Sequence, residues 1–344
     1  MSTEAGPAAG VPLARKVAFL SRPAAYPGAA TAVEAIETHM AWVFLTRSRA
    51  YKLKKPVRYA FLDFSTLEAR RRDCEEEVRL NRALAPDVYL GTVPLTAGDG
   101  GLAVGGGGSV VDWLVVMRRL ERARMLDRGL AEGAWTSPQI DAVVAWLVRF
   151  YAQARRVSIS PAKYRARLAR EIEEDRAELV ALRRLGAAET RASAVAAELQ
   201  AFIHRCAALL DARVDARRIV EGHGDLRPEH VYLGPPPAVI DCIEFNASFR
   251  ELDVVDDLAF LALECERLGA AEVGRLVLDA YARQSKDRPT PALVAFYMGR
   301  RALLRAKIAL WHLRDHEVRR EHEWVARALR YVELAEAHAA HAGG

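Results

Sequence analysis

The stretch His223-Gly-Asp-Leu-Arg-Pro-Glu-His230, followed further on by Asp241, decides how this chain is read. Two short apolar segments, at 231–233 and 238–240, flank a Gly- and Pro-rich turn at 234–237. Apolar runs on either side of such a turn predict a β-hairpin. The hairpin sets Asp225 and His230 in the loop before its first strand and Asp241 just after its second. A hairpin brings its open ends together, so these three side chains can converge on one point.

Upstream, short β-type patterns at 33–38, 42–46 and 50–57 predict three strands. Ser65-Thr-Leu-Glu68 reads as a capping box that opens a helix running to about residue 84, with Leu67, Cys74 and Val78 near one stripe. Two further strands are predicted at 88–95 and 110–117. The Gly-rich run between them, 98–108, is read as a flexible hairpin connection. It is not read as a phosphate loop, because no Lys-Ser/Thr follows and no helix begins there. From residue 120 the pattern turns helical, with segments at 138–156, 161–183, 188–212, 268–286, 291–314 and 318–341. The polar island at 219–241 interrupts them.

The whole chain has 344 residues, half of them apolar, enough for one large or two ordinary domains. Its 50 Lys+Arg exceed 45 Asp+Glu by a net +5, and the basic residues are interleaved with acids. Interleaving argues against a nucleic-acid partner, which needs basic residues clustered on one face. Cys74, Cys206, Cys242 and Cys265 form no C-x-x-C pair, which argues against a zinc site and for a reducing compartment. The N-terminus MSTEAGPAAG lacks the regions of a signal peptide, and no apolar run spans a bilayer. The expected location is cytoplasmic, with no membrane partner. The oligomeric state is not legible.

Phosphoryl transfer asks little covalent chemistry of a protein. It needs a carboxylate to orient a hydroxyl and accept its proton, and metal ligands and cations to hold the phosphates. Asp225 can supply the first, Asp241 and His230 the second. At this point the island resembles the catalytic loop of protein kinases and of aminoglycoside phosphotransferases, the His-Gly-Asp opening favouring the latter. Asp253-Val-Val-Asp-Asp257-Leu-Ala259 is similar to that group's Asp-Pro-x-x-Asp-Leu-Ala segment, whose acids brace the loop and start a helix. Ala50-Tyr-Lys52 resembles the Ala-x-Lys of the third kinase strand.

The resemblance implies an α+β, protein-kinase-like two-lobed fold. Its parts are a disordered N-terminus (1–13), a small antiparallel-sheet N-lobe with one helix (14–118), and a large, mostly helical C-lobe (119–344) holding the catalytic loop at 223–241. It implies an ATP-dependent phosphotransferase acting on a hydroxyl of a small molecule. Asp225 is then the base, Arg227 the cation at the moving phosphoryl group, and Asp241 a magnesium ligand. Lys52, paired with Glu77, grips the phosphates, while Thr38 in the Gly-free turn 38–41 meets phosphate. Met117 to Leu120 form the hinge that reads adenine. Lys54 is the second choice for Lys52, and Glu76 or Glu75 for Glu77. His230 stands where the family carries Asn: either it binds metal, favouring Mn²⁺ over Mg²⁺ as a nitrogen donor, or it only hydrogen-bonds within the loop.

More narrowly, Glu37-Thr-His-Met-Ala-Trp-Val-Phe-Leu45, Ala50-Tyr-Lys-Leu-Lys-Lys-Pro56, Asp241-Cys-Ile-Glu-Phe-Asn246 and Arg301-Ala-Leu-Leu-Arg-Ala-Lys307 resemble a largely uncharacterised bacterial branch of the aminoglycoside phosphotransferase superfamily. Some relatives carry an added nucleotide kinase domain with a Walker A loop. This chain has no such loop and reads as the single-module form. The rival function is a nucleotide-binding pseudokinase serving as regulator or scaffold. A protein kinase is weaker, because no Ala-Pro-Glu segment follows Asp241.

Overall fold

The computed structural model describes residues 10–27, 31–59, 61–314 and 320–343. Most of the stretch expected to be disordered therefore lies outside the described residues, but its end does not. Leu13, Val17 and Leu20 recur at helical spacing behind Pro12 and form one face of α1 (Leu13–Leu20), a helix the strand-centred reading missed. The N-lobe thus carries two helices. That face packs with Tyr26, Phe44, Tyr51, Leu53, Leu114 and Val116 in one apolar core.

Two compact units make up the chain. The first runs to Arg122 and takes in Val239–Ala247; the second comprises Ala123–Ala238 and everything from Ser248 onward. Asp241, expected within the C-lobe, lies in the first.

The first unit is built on β1 (Glu34–Glu37), β2 (Ala41–Leu45), β3 (Arg49–Lys54), the small pair β4 (Arg58–Tyr59) and β5 (Leu62–Asp63), and α2 (Leu67–Arg82). There follow β6 (Tyr89–Gly98), β7 (Gly101–Val104) and β8 (Ser109–Arg118). The main sheet has the order β1-β2-β3-β8-β6-β7, and every pairing is antiparallel. Strand β7 was missed within the Gly-rich run. The glycines there permit close approach rather than mere flexibility: a Cβ on Gly108 would lie 2.2 Å from the Ala97 carbonyl oxygen. The cap of α2 also differs from expectation. Thr66, not Ser65, accepts from the backbone of Ala69 (3.1 Å), while Ser65 donates to Asp63. A buried bridge ties both helices to the sheet, Asp112 of β8 receiving Lys16 of α1 (2.7 Å) and Arg70 of α2 (2.7 Å).

In the second unit α3 (Leu126–Glu132), α4 (Ser137–Gln153), α5 (Pro161–Ala181), α6 (Ala187–Arg205) and α7 (Ala207–Asp215) lead to β9 (Ile219–Glu221). The single helix expected at 188–212 breaks at Cys206. Strands β10 (Val231–Tyr232) and β11 (Ala238–Val239) occupy the two arms of the expected hairpin. Then come β12 (Glu251–Asp253), α8 (Val254–Arg267), α9 (Ala271–Ser285), α10 (Pro291–Trp311) and α11 (Glu321–Gly343). Helix α8 lies outside the segments read from periodicity, and its start is expected only through the resemblance at Asp253–Ala259. Val254 through Cys265 are all buried, so its polar residues Asp256, Asp257 and Glu264 meet polar and charged partners rather than solvent. Its first turn is held by charge. Asp253 caps Val255 (2.9 Å) and receives both ends of the Arg213 guanidinium at 2.8 Å, and Arg213 also grips Asp287. Among the described residues no helix is long and apolar enough to cross a membrane.

Candidate active site

Antiparallel pairing of β9 with β12, Ile219 opposite Asp253, brings the start of α8 against the loop that follows β9. The loop leaves the strand through Gly222, where a Cβ would lie 2.7 Å from an Asp257 carboxylate oxygen. That carboxylate receives the backbone amides of His223 (2.7 Å) and Gly224 (3.0 Å) and the Tyr151 hydroxyl (3.1 Å). From the other side Arg301 of α10 donates to the Gly224 carbonyl (3.1 Å), its guanidinium set by Asp256 (2.7 Å). Helices α8 and α10 thus fix the loop by its backbone before any of its side chains acts.

Asp225 follows at the loop's head. Its amide donates to Nδ1 of His223 (3.2 Å) and its Oδ2 lies 2.9 Å from Arg227. Nδ1 of His230 donates to the Asp225 carbonyl (2.8 Å), and Nε2 faces the Arg227 guanidinium at 3.4 Å. Arg227 also pairs with Glu229. Burial pushes the Asp225 carboxyl up, but Arg227, His230 and Arg305 outweigh it and hold the pKa below the usual carboxylate value. Asp225 is therefore ionised at neutral pH and can only accept. Burial pushes Asp257, by contrast, up to about 6.

The first unit holds a second cluster. Along β3 the even positions Lys52 and Lys54 share a face opposite to Tyr51 and Leu53, and α2 offers Asp73 and Glu77 one turn apart. Lys52 Nζ lies 2.9 Å from Glu77 Oε1 and 2.9 Å from Asp241 Oδ1. Lys54 Nζ lies 2.7 Å from Glu77 Oε2 and 2.5 Å from Asp73, and also pairs with Glu244. A fully buried Glu77 thus bridges both lysines. Glu76 and Glu75 instead pair with Arg79 and Arg71 at the surface. Burial disfavours charge on Lys52, but Asp241, Glu77 and Glu244 outweigh it and hold the pKa well above the ordinary lysine value.

Asp241 has a left-handed backbone, φ 64°, a conformation L side chains adopt at a cost. Two hydrogen bonds secure it. The Asp241 amide donates to the Tyr89 hydroxyl (3.0 Å), and the Cys242 amide to the Asn81 carboxamide (2.9 Å). Its side chain is 46% exposed.

The remaining expected residues are less engaged. Thr38 closes the β1–β2 turn by exchanging hydrogen bonds with Ala41 through its hydroxyl (2.9 and 3.0 Å). Met117 pairs with Ala50 and Tyr89 inside the sheet, and Leu120 follows the end of β8, half-buried. The structure therefore gathers Lys52, Glu77 and Asp241 in the first unit, and Asp225, Arg227 and His230 in the second. Lys54, read only as an alternative to Lys52, and Asp73 were missed as partners of Glu77. The i,i+4 acidic pair on α2 and the i,i+2 lysines on β3 were the available signals.

Residues 46–297 match the phosphotransferase enzyme family (APH). The chain belongs to that family. Among curated relatives, uncharacterized proteins of Mycobacterium tuberculosis and Mycobacterium bovis are 34% identical over 316 residues, covering 90% of this chain and 60% of theirs. The chain thus spans about 60% of the length of the curated relatives it matches. A choline/ethanolamine kinase family protein from Mesorhizobium loti shares the fold at TM-score 0.50 and 15% identity, covering 96% of this chain and 99% of that one. A choline kinase from Cryptosporidium parvum does so at TM-score 0.50 and 11% identity, covering 96% and 93%.

Proposed function

We propose that this phosphotransferase-family chain moves the γ-phosphoryl group of ATP to a hydroxyl of a small molecule. The observation that carries the reading is the Asp225 loop. An ionised carboxylate stands at its head, on a backbone pinned by Asp257 from one helix and Arg301 from another. A purely structural loop has no need of a carboxylate so presented.

In this reading Asp225 orients the acceptor hydroxyl and takes its proton. The acceptor oxygen bonds to the γ-phosphorus as the bond to the β,γ-bridging oxygen breaks, and ADP leaves. Arg227 offsets the charge on the moving group. Lys52, set by Glu77, holds the nucleotide phosphates. Thr38 and its turn, and the hinge from Met117 to Leu120, are assigned the phosphate and adenine ends of the nucleotide.

Magnesium is implied by the family, and the two expected ligands fit it unequally. Asp241 presents a hard oxygen donor on a half-exposed side chain, which suits Mg²⁺ or Mn²⁺. When bound, the ion neutralises phosphate charge. His230 fits poorly: Nδ1 is spent on the Asp225 carbonyl, and Nε2 faces a guanidinium, so a metal there would meet Arg227. We assign His230 to orienting Asp225.

The same engagement of His230 favours the second reading, a nucleotide-binding regulator without turnover. Nucleotide binding with and without Mg²⁺ or Mn²⁺, followed by γ-phosphate transfer from ATP to a pooled panel of alcohols, separates the two. Metal-dependent binding with transfer is expected. Binding without transfer favours the regulator, and no binding with either metal sinks both. Because the Asp225 pKa is held low, kcat/KM is expected to stay flat from about pH 5 to pH 8. An acid limb near pH 6 that persisted in variants of His223 and His230 would overturn the assignment of Asp225 as an already ionised base.

A further inference from the structure

Helices α8 and α10 do not stop at the loop they hold. Glu264 lies two turns beyond Asp257 on the same face of α8, and Arg305 one turn beyond Arg301 on the same face of α10. Since Asp257 and Arg301 touch the backbone at His223 and Gly224, Glu264 and Arg305 occupy the next layer past the base. There Arg267 Nε lies 2.8 Å and Arg305 Nε 3.5 Å from the Glu264 carboxylate, which also receives the Tyr331 hydroxyl (2.5 Å). Both guanidinium groups lie over the Tyr331 ring, at 5.7 and 5.6 Å from its centroid.

The charges do not match one to one. Glu264 is fully buried, whereas Arg267 and Arg305 keep 22% and 14% of their side chains exposed. One guanidinium and the tyrosine hydroxyl suffice to satisfy a buried carboxylate; here two guanidiniums share it. Toward the loop the balance reverses: Arg227 is the guanidinium in contact with both Asp225 and Glu229, and His230 Nδ1 lies 3.8 Å from Asp225. Glu229 also acts on Arg267 from a distance, and Arg305 on Asp225. Carboxylates are thus in excess at the base and guanidiniums in excess one layer further along α8 and α10. Each of the three carboxylates already has an arginine, so a polycationic acceptor finds none to itself.

Resting on the phosphotransferase reading above, we propose that the acceptor is an anionic alcohol, carrying a carboxylate or phosphate besides its hydroxyl, and that Arg267 and Arg305 bind that anionic group. Guanidinium suits both oxyanions, presenting planar paired donors that an ammonium lacks. Tyr331 and Glu264 hold the two donors in place before the acceptor arrives, which lowers the ordering cost of binding.

Calorimetric titration of the protein with D-glycerate, glycerol 3-phosphate, choline and kanamycin tests this. The first two probes separate carboxylate from phosphate. At least one is expected to bind, and its affinity to fall about tenfold or more in Arg305→Leu and in Arg267→Gln, with partial recovery in Arg305→Lys. Arg267→Gln leaves Arg305 on Glu264, so it reports binding even where Arg305→Leu fails to fold. Binding of choline or kanamycin with neither anionic probe bound overturns the proposal. So does anionic binding that is unchanged in both Arg267→Gln and Arg305→Lys. Failure of the parent reading shows separately, as absence of ATP binding by the same protein.

Discussion

Asp225→Asn is expected to lower kcat by about 10²–10⁴-fold while leaving nucleotide affinity within about threefold of wild type. The substitution keeps the shape of the side chain. An amide oxygen can still face Arg227, and the loop is pinned through its backbone by Asp257 and Arg301, neither of which touches the Asp225 side chain. What is lost is a site able to take a proton. Orientation and charge offset by Arg227 survive, so a residual rate is expected rather than none. Steady-state kinetics together with nucleotide titration checks this. A large fall in nucleotide affinity would mean that the loop had rearranged, and undiminished turnover would remove Asp225 from the role of base.

The second large effect separates two lysines that look alike in the sequence. Lys54 is 1% exposed and faces Asp73, Glu77 and Glu244, whereas Lys52 is 16% exposed and faces Glu77 and the half-exposed Asp241. Lys54→Met leaves Glu77 with Lys52 alone and takes this cation from Asp73 and Glu244, whose side chains are 9% and 8% exposed. Removing one member of a buried ionic group costs about 3–5 kcal/mol, largely because the partners stay desolvated and unpaired. Lys52→Met leaves Glu77 still bound to Lys54 and lets Asp241 meet water, so its expected cost is below about 2 kcal/mol. Under the proposed function the expectation runs the other way: Lys52→Met is expected to abolish metal-dependent nucleotide binding in a folded protein. Urea unfolding of the two variants beside wild type reads the difference directly. Equal loss of stability in both would show that Lys54 is not the structural centre of the cluster.

Which residues the candidate site gathers was largely legible in the sequence, because the signals were local. The order Lys strand, acidic helix, second strand pair, His-Gly-Asp loop and Asp241 needs only periodicities of two and 3.6 and the chemistry of turns. Some elements escaped, the short helix α1 among them. Helix α8 was expected only through the resemblance at Asp253–Ala259, because its polar residues are buried against polar and charged partners and its extent to Arg267 depends on segments distant in the chain. Strand β7 lay inside a run of glycines whose purpose, close passage of Gly108 past the Ala97 carbonyl, appears only once the two segments are side by side.

By itself, then, the sequence determined the order of elements, the family and the identities of Asp225, Lys52 and Asp241 as residues worth testing. Tertiary structure alone decided whom each touches. It chose Glu77 over Glu75 and Glu76 by burying it, joined Lys54 to the same carboxylate, turned both nitrogens of His230 inward, and set two arginines on one Glu264. The reason is physical. Spacing along a chain sets which face a side chain occupies, but the strength and sign of a charge's interactions depend on the burial and partners that distant segments bring to it.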